Sequence, residues 1–182
     1  MRRRKDLGLY KLVEKAGKTV YEYRGDAYIP PLPLERLPRI KAMLFLGCLL
    51  QALLVFLMGR LDFLSFRKIY VVIPFLAVMF GTGKSLLSSA ALFTWKSQMT
   101  LRQHQLSWSS LTAGSLISVV SSVLMLITVL GYLVLQGGQF QEEWLLFLLC
   151  AANILLSLAA FIYMKGKPCQ INPYQHTQPP DA

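Results

Sequence analysis

The chain has 182 residues, 54% of them hydrophobic, with a net charge of +10 and a mean hydropathy of +0.47. This composition, with 11 of the 19 Lys and Arg crowded into the first 41 residues, excludes an ordinary soluble domain of this length. Membrane spans need about 20 consecutive apolar residues and a core helix does not, so the charge segregation points to an all-α membrane domain behind a basic N-terminal segment.

The basic residues adjoin the first apolar segment, where anionic lipid headgroups lie within reach, so they imply a membrane surface and not nucleic acid as partner. Cys48, Cys150 and Cys169 form no C-x-x-C pair, and two lie inside apolar segments, which argues against a disulfide framework, a zinc site or a paired-thiol oxidant. No metal and no cofactor is implied. Residues 2–5 imitate the charged start of a signal peptide, but no apolar stretch follows until residue 42, so a cleaved secretory signal is not expected.

In chain order, residues 1–38 read as a basic cytoplasmic segment ending in a Pro-rich connector. Leu9, Leu12, Val13 and Ala16 recur at spacings of three and four, which predicts a short amphipathic helix over 5–16, ended by Gly17. Residues 19–29 predict a β-hairpin, since Val20, Tyr21 and Tyr23 favour strands and Arg24-Gly25-Asp26 supplies a turn. That tripeptide also spells an integrin-binding motif, but the topology below places it in the cytoplasm. Pro30, Pro31, Pro33 and Pro38 exclude a continuous helix and predict an extended spacer.

Four apolar segments follow, at about 42–58, 69–95, 111–136 and 144–164, within a membrane domain of 39–165 and before a short cytoplasmic tail, 166–182. With both termini inside, 15 basic residues face the cytoplasm and three, Arg60, Arg67 and Lys68, lie outside with Glu142 and Glu143. The bias fixes the expected orientation, and the short connections predict an antiparallel four-helix bundle, with the plasma membrane as default location. No internal repeat is visible.

The most informative single residue is Lys84, a charge near the middle of the second apolar segment, where it costs roughly 2.5 to 3.5 kcal/mol without a partner or water. Gly83-Lys84-Ser85 resembles the end of a phosphate-binding loop, but the first glycine that motif requires is replaced by Val78, and the surroundings are a span and not a strand-loop-helix unit. A stronger expectation is that Gly81 and Gly83, with Pro74 upstream, interrupt the helix and free backbone N–H groups beside Lys84, Ser85 and Ser88 to bind an anion. The plainer alternative is that Lys84 snorkels, or meets a headgroup or another subunit's carboxylate.

Ala77, Gly81, Ser85 and Ser89 repeat at a spacing of four, as do Gly114, Ser118 and Ser122 on the third segment, with Ser115 and Ser121 widening that stripe. Small residues at this spacing let membrane helices approach closely. The stripes predict packing of the second segment on the third or on a partner chain, and Lys84, bordering them with Ser88, is expected to face protein. Gln51 and Asn153 are candidates to hydrogen-bond across helices near Lys84.

His104 and His176 lie outside the spans, and no Ser-His-Asp set or paired carboxylates share a face. Only Lys84 with Ser85 or Ser88 could form a Ser-Lys pair, the basis of a weaker reading as a proteolytic or lipid-modifying enzyme. The leading expectation is a non-enzymatic accessory or assembly subunit that binds another membrane protein, or copies of itself, through its small-residue faces. The alternative is a small oligomeric transporter or channel in which Lys84 attracts an anion or couples to protons.

Overall fold

The computed structural model describes residues 10–15, 18–23, 26–30, 33, 35–94, 99–136 and 140–172. It is mostly helical, with four helices long and apolar enough to cross a membrane. They are α1, Leu37–Arg60; α2, Ile69–Ala91; α3, Ser110–Gln136; and α4, Phe140–Lys165. Each contains its expected segment or nearly all of it, extended by up to a turn or so at the ends.

The N-terminal segment departs from expectation. Residues 10–15 are not helical: Tyr10–Lys15 forms strand β1, paired antiparallel with β2, Lys18–Tyr23, with Leu12 opposite Tyr21 and Val13 opposite Val20. Val13, Val20 and the tyrosines suit a pleated ladder, and the two residues between the strands are the usual separation for a tight hairpin. The expected hairpin over 19–29 is therefore replaced by one a few residues earlier. Residues 1–9, Arg24 and Gly25 of the expected turn, Pro31, Trp95, Lys96 and the tail from 173, with His176, lie outside the described residues.

Strand β3, Ala27–Ile29, pairs instead with β4, Gln170–Asn172, so the beginning and end of the chain meet. Tyr28 also exchanges two backbone hydrogen bonds of 2.9 Å with Met99, in the connection between α2 and α3, and its ring stacks on His104 at 4.4 Å. Leu37, Leu92, Met99, Trp108 and Met164 pack below this patch. Pro38 does not belong to the spacer: it lies in the first turn of α1, where a missing N–H costs nothing.

Before α3, Thr100 caps a helical turn, Leu101–His104, through a reciprocal bond pair with Gln103, and Gln105–Ser109 is a wider turn of π geometry that leads into α3. At the opposite end, the Glu143 carboxylate accepts hydrogen bonds from the Ser65 N–H and Oγ, both 2.8 Å. Glu143 is almost wholly buried, so what reads in sequence as a loop charge ties α4 to the 3₁₀ turn Leu64–Arg67.

Helix α1 packs on α2 and α4, α2 on α3, and α3 on α4. The α2–α3 contact is the most extensive, and glycine sets its closeness: a Cβ at Gly81 would lie 2.8 Å from the Ser118 backbone nitrogen, and one at Gly114 would lie 3.0 Å from that of Ser85. The stripes thus pack helix on helix within the chain. Gly83 is exposed, with nothing within 4 Å of where its Cβ would be.

This contrast is testable by reversible unfolding in mixed micelles. Gly81→Ala must push two backbones apart and is expected to cost about 1–3 kcal/mol. Gly83→Ala, with open space around it, is expected to be neutral or slightly stabilising.

Candidate functional site

The interior has two apolar clusters with a polar layer between them. One cluster gathers Val55, Met58, Val71, Val78, Met125 and Cys150; the other gathers Leu44, Cys48, Leu92, Leu111 and Met164. On every helix the polar residues fall between the two: Gln51 on α1, Thr82 on α2, Ser118 and Ser122 on α3, Asn153 and Ser157 on α4. All six are buried.

These side chains bond to one another. The Gln51 amide donates to Ser157 Oγ at 2.6 Å and Ser118 Oγ at 2.8 Å, with Thr82 Oγ1 farther at 3.4 Å. Asn153 Nδ2 donates to Ser122 Oγ at 2.7 Å and approaches Ser118 Oγ at 3.4 Å. Ser157 Oγ donates to the Asn153 carbonyl at 2.6 Å, closing a network that touches all four helices. Asn153 Oδ1, Ser85 Oγ and Ser115 Oγ are buried without a partner among the described residues. Gln51 and Asn153 thus bond across helices as expected, to hydroxyls of the neighbouring helices.

Helix α2 runs unbroken through Gly81 and Gly83, so the interruption expected there is absent and neither glycine frees backbone donors beside Lys84. Gly81 serves close packing instead, and a helix in an apolar setting keeps its backbone bonds because no water replaces them. Gly81, Ser85, Ser88 and Ser89 face inward, and the Ser88 and Ser89 hydroxyls donate back to the Lys84 and Leu86 carbonyls at 2.7 and 2.8 Å. Ala77 lies at the edge of the stripe, half-buried.

Lys84 lies about 40° from Ser88 and about 60° from Gly81 around the helix, at the border of the packed face. It is half-buried, not enclosed by protein, and lines a lateral groove of about 570 Å³ between α2 and the start of α3, with Met79, Phe80, Leu87, Leu106 and Ser110. No acidic group pairs with it among the described residues. The sequence-predicted binding set is thereby divided: Ser85 and Gly81 belong to the helix contact, Lys84 and Gly83 to the outer surface, and Ser88 touches both.

Further grooves among the described residues include one of about 550 Å³ between α1 and α2 beside Phe56, Gly59 and Phe75, and one of about 280 Å³ between α1 and α4 beside Gly47 and Ala160. Among the described residues no three His, Cys, Asp or Glu gather as metal ligands. Sequence reading missed Ser157 and Thr82 as members of the network; Ser157, one turn from Asn153, was the available signal.

The chain matches no protein-family model, no curated protein and no solved structure.

Replacing Gln51 by Met keeps its bulk and removes its hydrogen bonds. The expected loss is about 1–2 kcal/mol of stability, since interhelical bonds of this kind average about 0.6 kcal/mol each. Asn153→Leu should cost a similar amount, and the double variant less than the sum because both amides reach Ser118. Additive losses in a denaturation cycle would show that the layer does not act as one unit.

Proposed function

We propose that the chain is a four-pass protein of the plasma membrane, its helices an antiparallel bundle with both termini cytoplasmic, serving as a non-enzymatic accessory or assembly subunit for another membrane protein. The observation that carries this reading is the division between inside and outside. The interior polar groups largely satisfy one another, while Lys84, the charge farthest from the end of any of the four long helices, turns outward into a groove. Such a molecule holds its own fold and presents an unsatisfied charge sideways, where only a neighbour in the membrane plane can meet it.

The route of docking differs from that expected from sequence. The small-residue faces of α2 and α3 are occupied by each other, so a partner must use the outer faces. A transport reading would need Lys84 and the polar layer to share one path, and Lys84 lines a surface groove without joining the hydrogen bonds of that layer.

Tagged full-length protein, extracted from its own membrane in mild detergent, is expected to run as a stoichiometric complex well above its 20.6 kDa chain mass in light scattering coupled to size exclusion. A monodisperse monomer with no second protein by mass spectrometry would reject the accessory role.

A further inference from the structure

We infer that the groove beside Lys84 receives a transmembrane helix of a different protein, one that carries an Asp or Glu near its own midpoint. This rests on the accessory-subunit reading and specifies the chemistry of the partner. The argument begins with depth. The apolar helix runs Ile69–Thr94, and its midpoint falls between residues 81 and 82. Lys84 is therefore about 4 Å from the centre at 1.5 Å per residue. The hydrocarbon edge lies about 15 Å from the centre, leaving about 11 Å to cover.

A lysine side chain spans five bonds from Cα to Nζ, roughly 6 Å when extended. It falls short of the hydrocarbon edge by about 5 Å and of the phosphates by more, so a headgroup of an undeformed bilayer cannot be its counter-charge. The counter-charge must come from within the hydrocarbon layer.

A second copy of this chain cannot supply it. Its nine acidic residues are Asp6, Glu14, Glu22, Asp26, Glu35, Asp62, Glu142, Glu143 and Asp181, and none lies in the middle of a long apolar helix. Glu142 and Glu143 lie in the first turn of α4, far from its middle, and Glu143 is buried and engaged with Ser65. The complementary carboxylate therefore belongs to a different protein. Around Lys84, Met79, Phe80, Leu87 and Leu106 offer apolar contact to a helix, and Ser110 adds a hydroxyl beside the charge.

The test uses full-length protein in phosphatidylcholine vesicles with a designed Leu/Ala transmembrane peptide bearing one central Glu, and the same peptide with Leu there. Energy transfer between labels reports association. The Glu peptide is expected to bind at least about tenfold more tightly than the Leu peptide, a preference that Lys84→Arg keeps and Lys84→Met loses while helical content is unchanged. Equal binding of the two peptides, or a preference that survives in Lys84→Met, overturns the inference. So does a third result: phosphatidylglycerol abolishing the preference while native mass spectrometry finds that lipid retained by the wild type and not by Lys84→Met, which would make the groove a lipid site. The two readings fail separately. A co-purifying partner that persists in Lys84→Met leaves the accessory role standing and overturns the groove; peptide preference with no co-purifying protein upholds the groove and rejects the role.

Discussion

An amide or hydroxyl placed in an apolar interior must find a partner there, and the packing of this chain is arranged around that requirement. Gln51 is the pivot, because its one NH₂ group reaches α3 and α4 with two short bonds and α2 with a longer one. Apolar clusters lie on either side of that level, and sliding one helix along its neighbours would set its polar group against leucines and methionines. Apolar contact alone distinguishes poorly between registers of one helix against another, whereas a polar layer fixes one.

The layer depends in turn on glycine. Gly81 and Gly114 bring α2 and α3 close enough for Thr82 and Ser118 to meet at 3.3 Å, and Ser118 is the acceptor that Gln51 and Asn153 share. At the two ends other devices hold the helices: the β3–β4 pair with Tyr28 and Met99 at one, and the Glu143 carboxylate on Ser65 at the other. A cross-brace at each end and a polar tie at the middle divide the task among three levels.

The four long helices were legible because hydropathy over 20 residues is a strong signal, and the stripes were legible because a spacing of four has one helical meaning. What stayed hidden depended on partners distant in sequence. Leu12 and Val13 fit a helical period as well as a strand, and the choice was made by Val20 and Tyr21 across the ladder. Strand β3 was only half-recognised, because its mate at 170–172 lies at the far end of the chain. Lys84, expected to face protein, is half-buried beside a groove, since bordering a stripe leaves both directions open and only the packing of α3 selects one. Gly81 was read both as a break and as a contact, and it is a contact, because glycine carries both meanings and only a neighbouring backbone separates them.

The last contributors to the polar layer, Asn153 and Ser157, lie on the fourth helix, which leaves the ribosome after the other three. Until it arrives, Gln51 lacks its shortest bond and Ser122 lacks its amide donor. Without α4, Gln51 keeps only its partners on α2 and α3, and the layer stays open on the side that Asn153 and Ser157 close. The polar layer is thereby complete only when the last helix is in place, so the final span to be made is also the one that seals the interior.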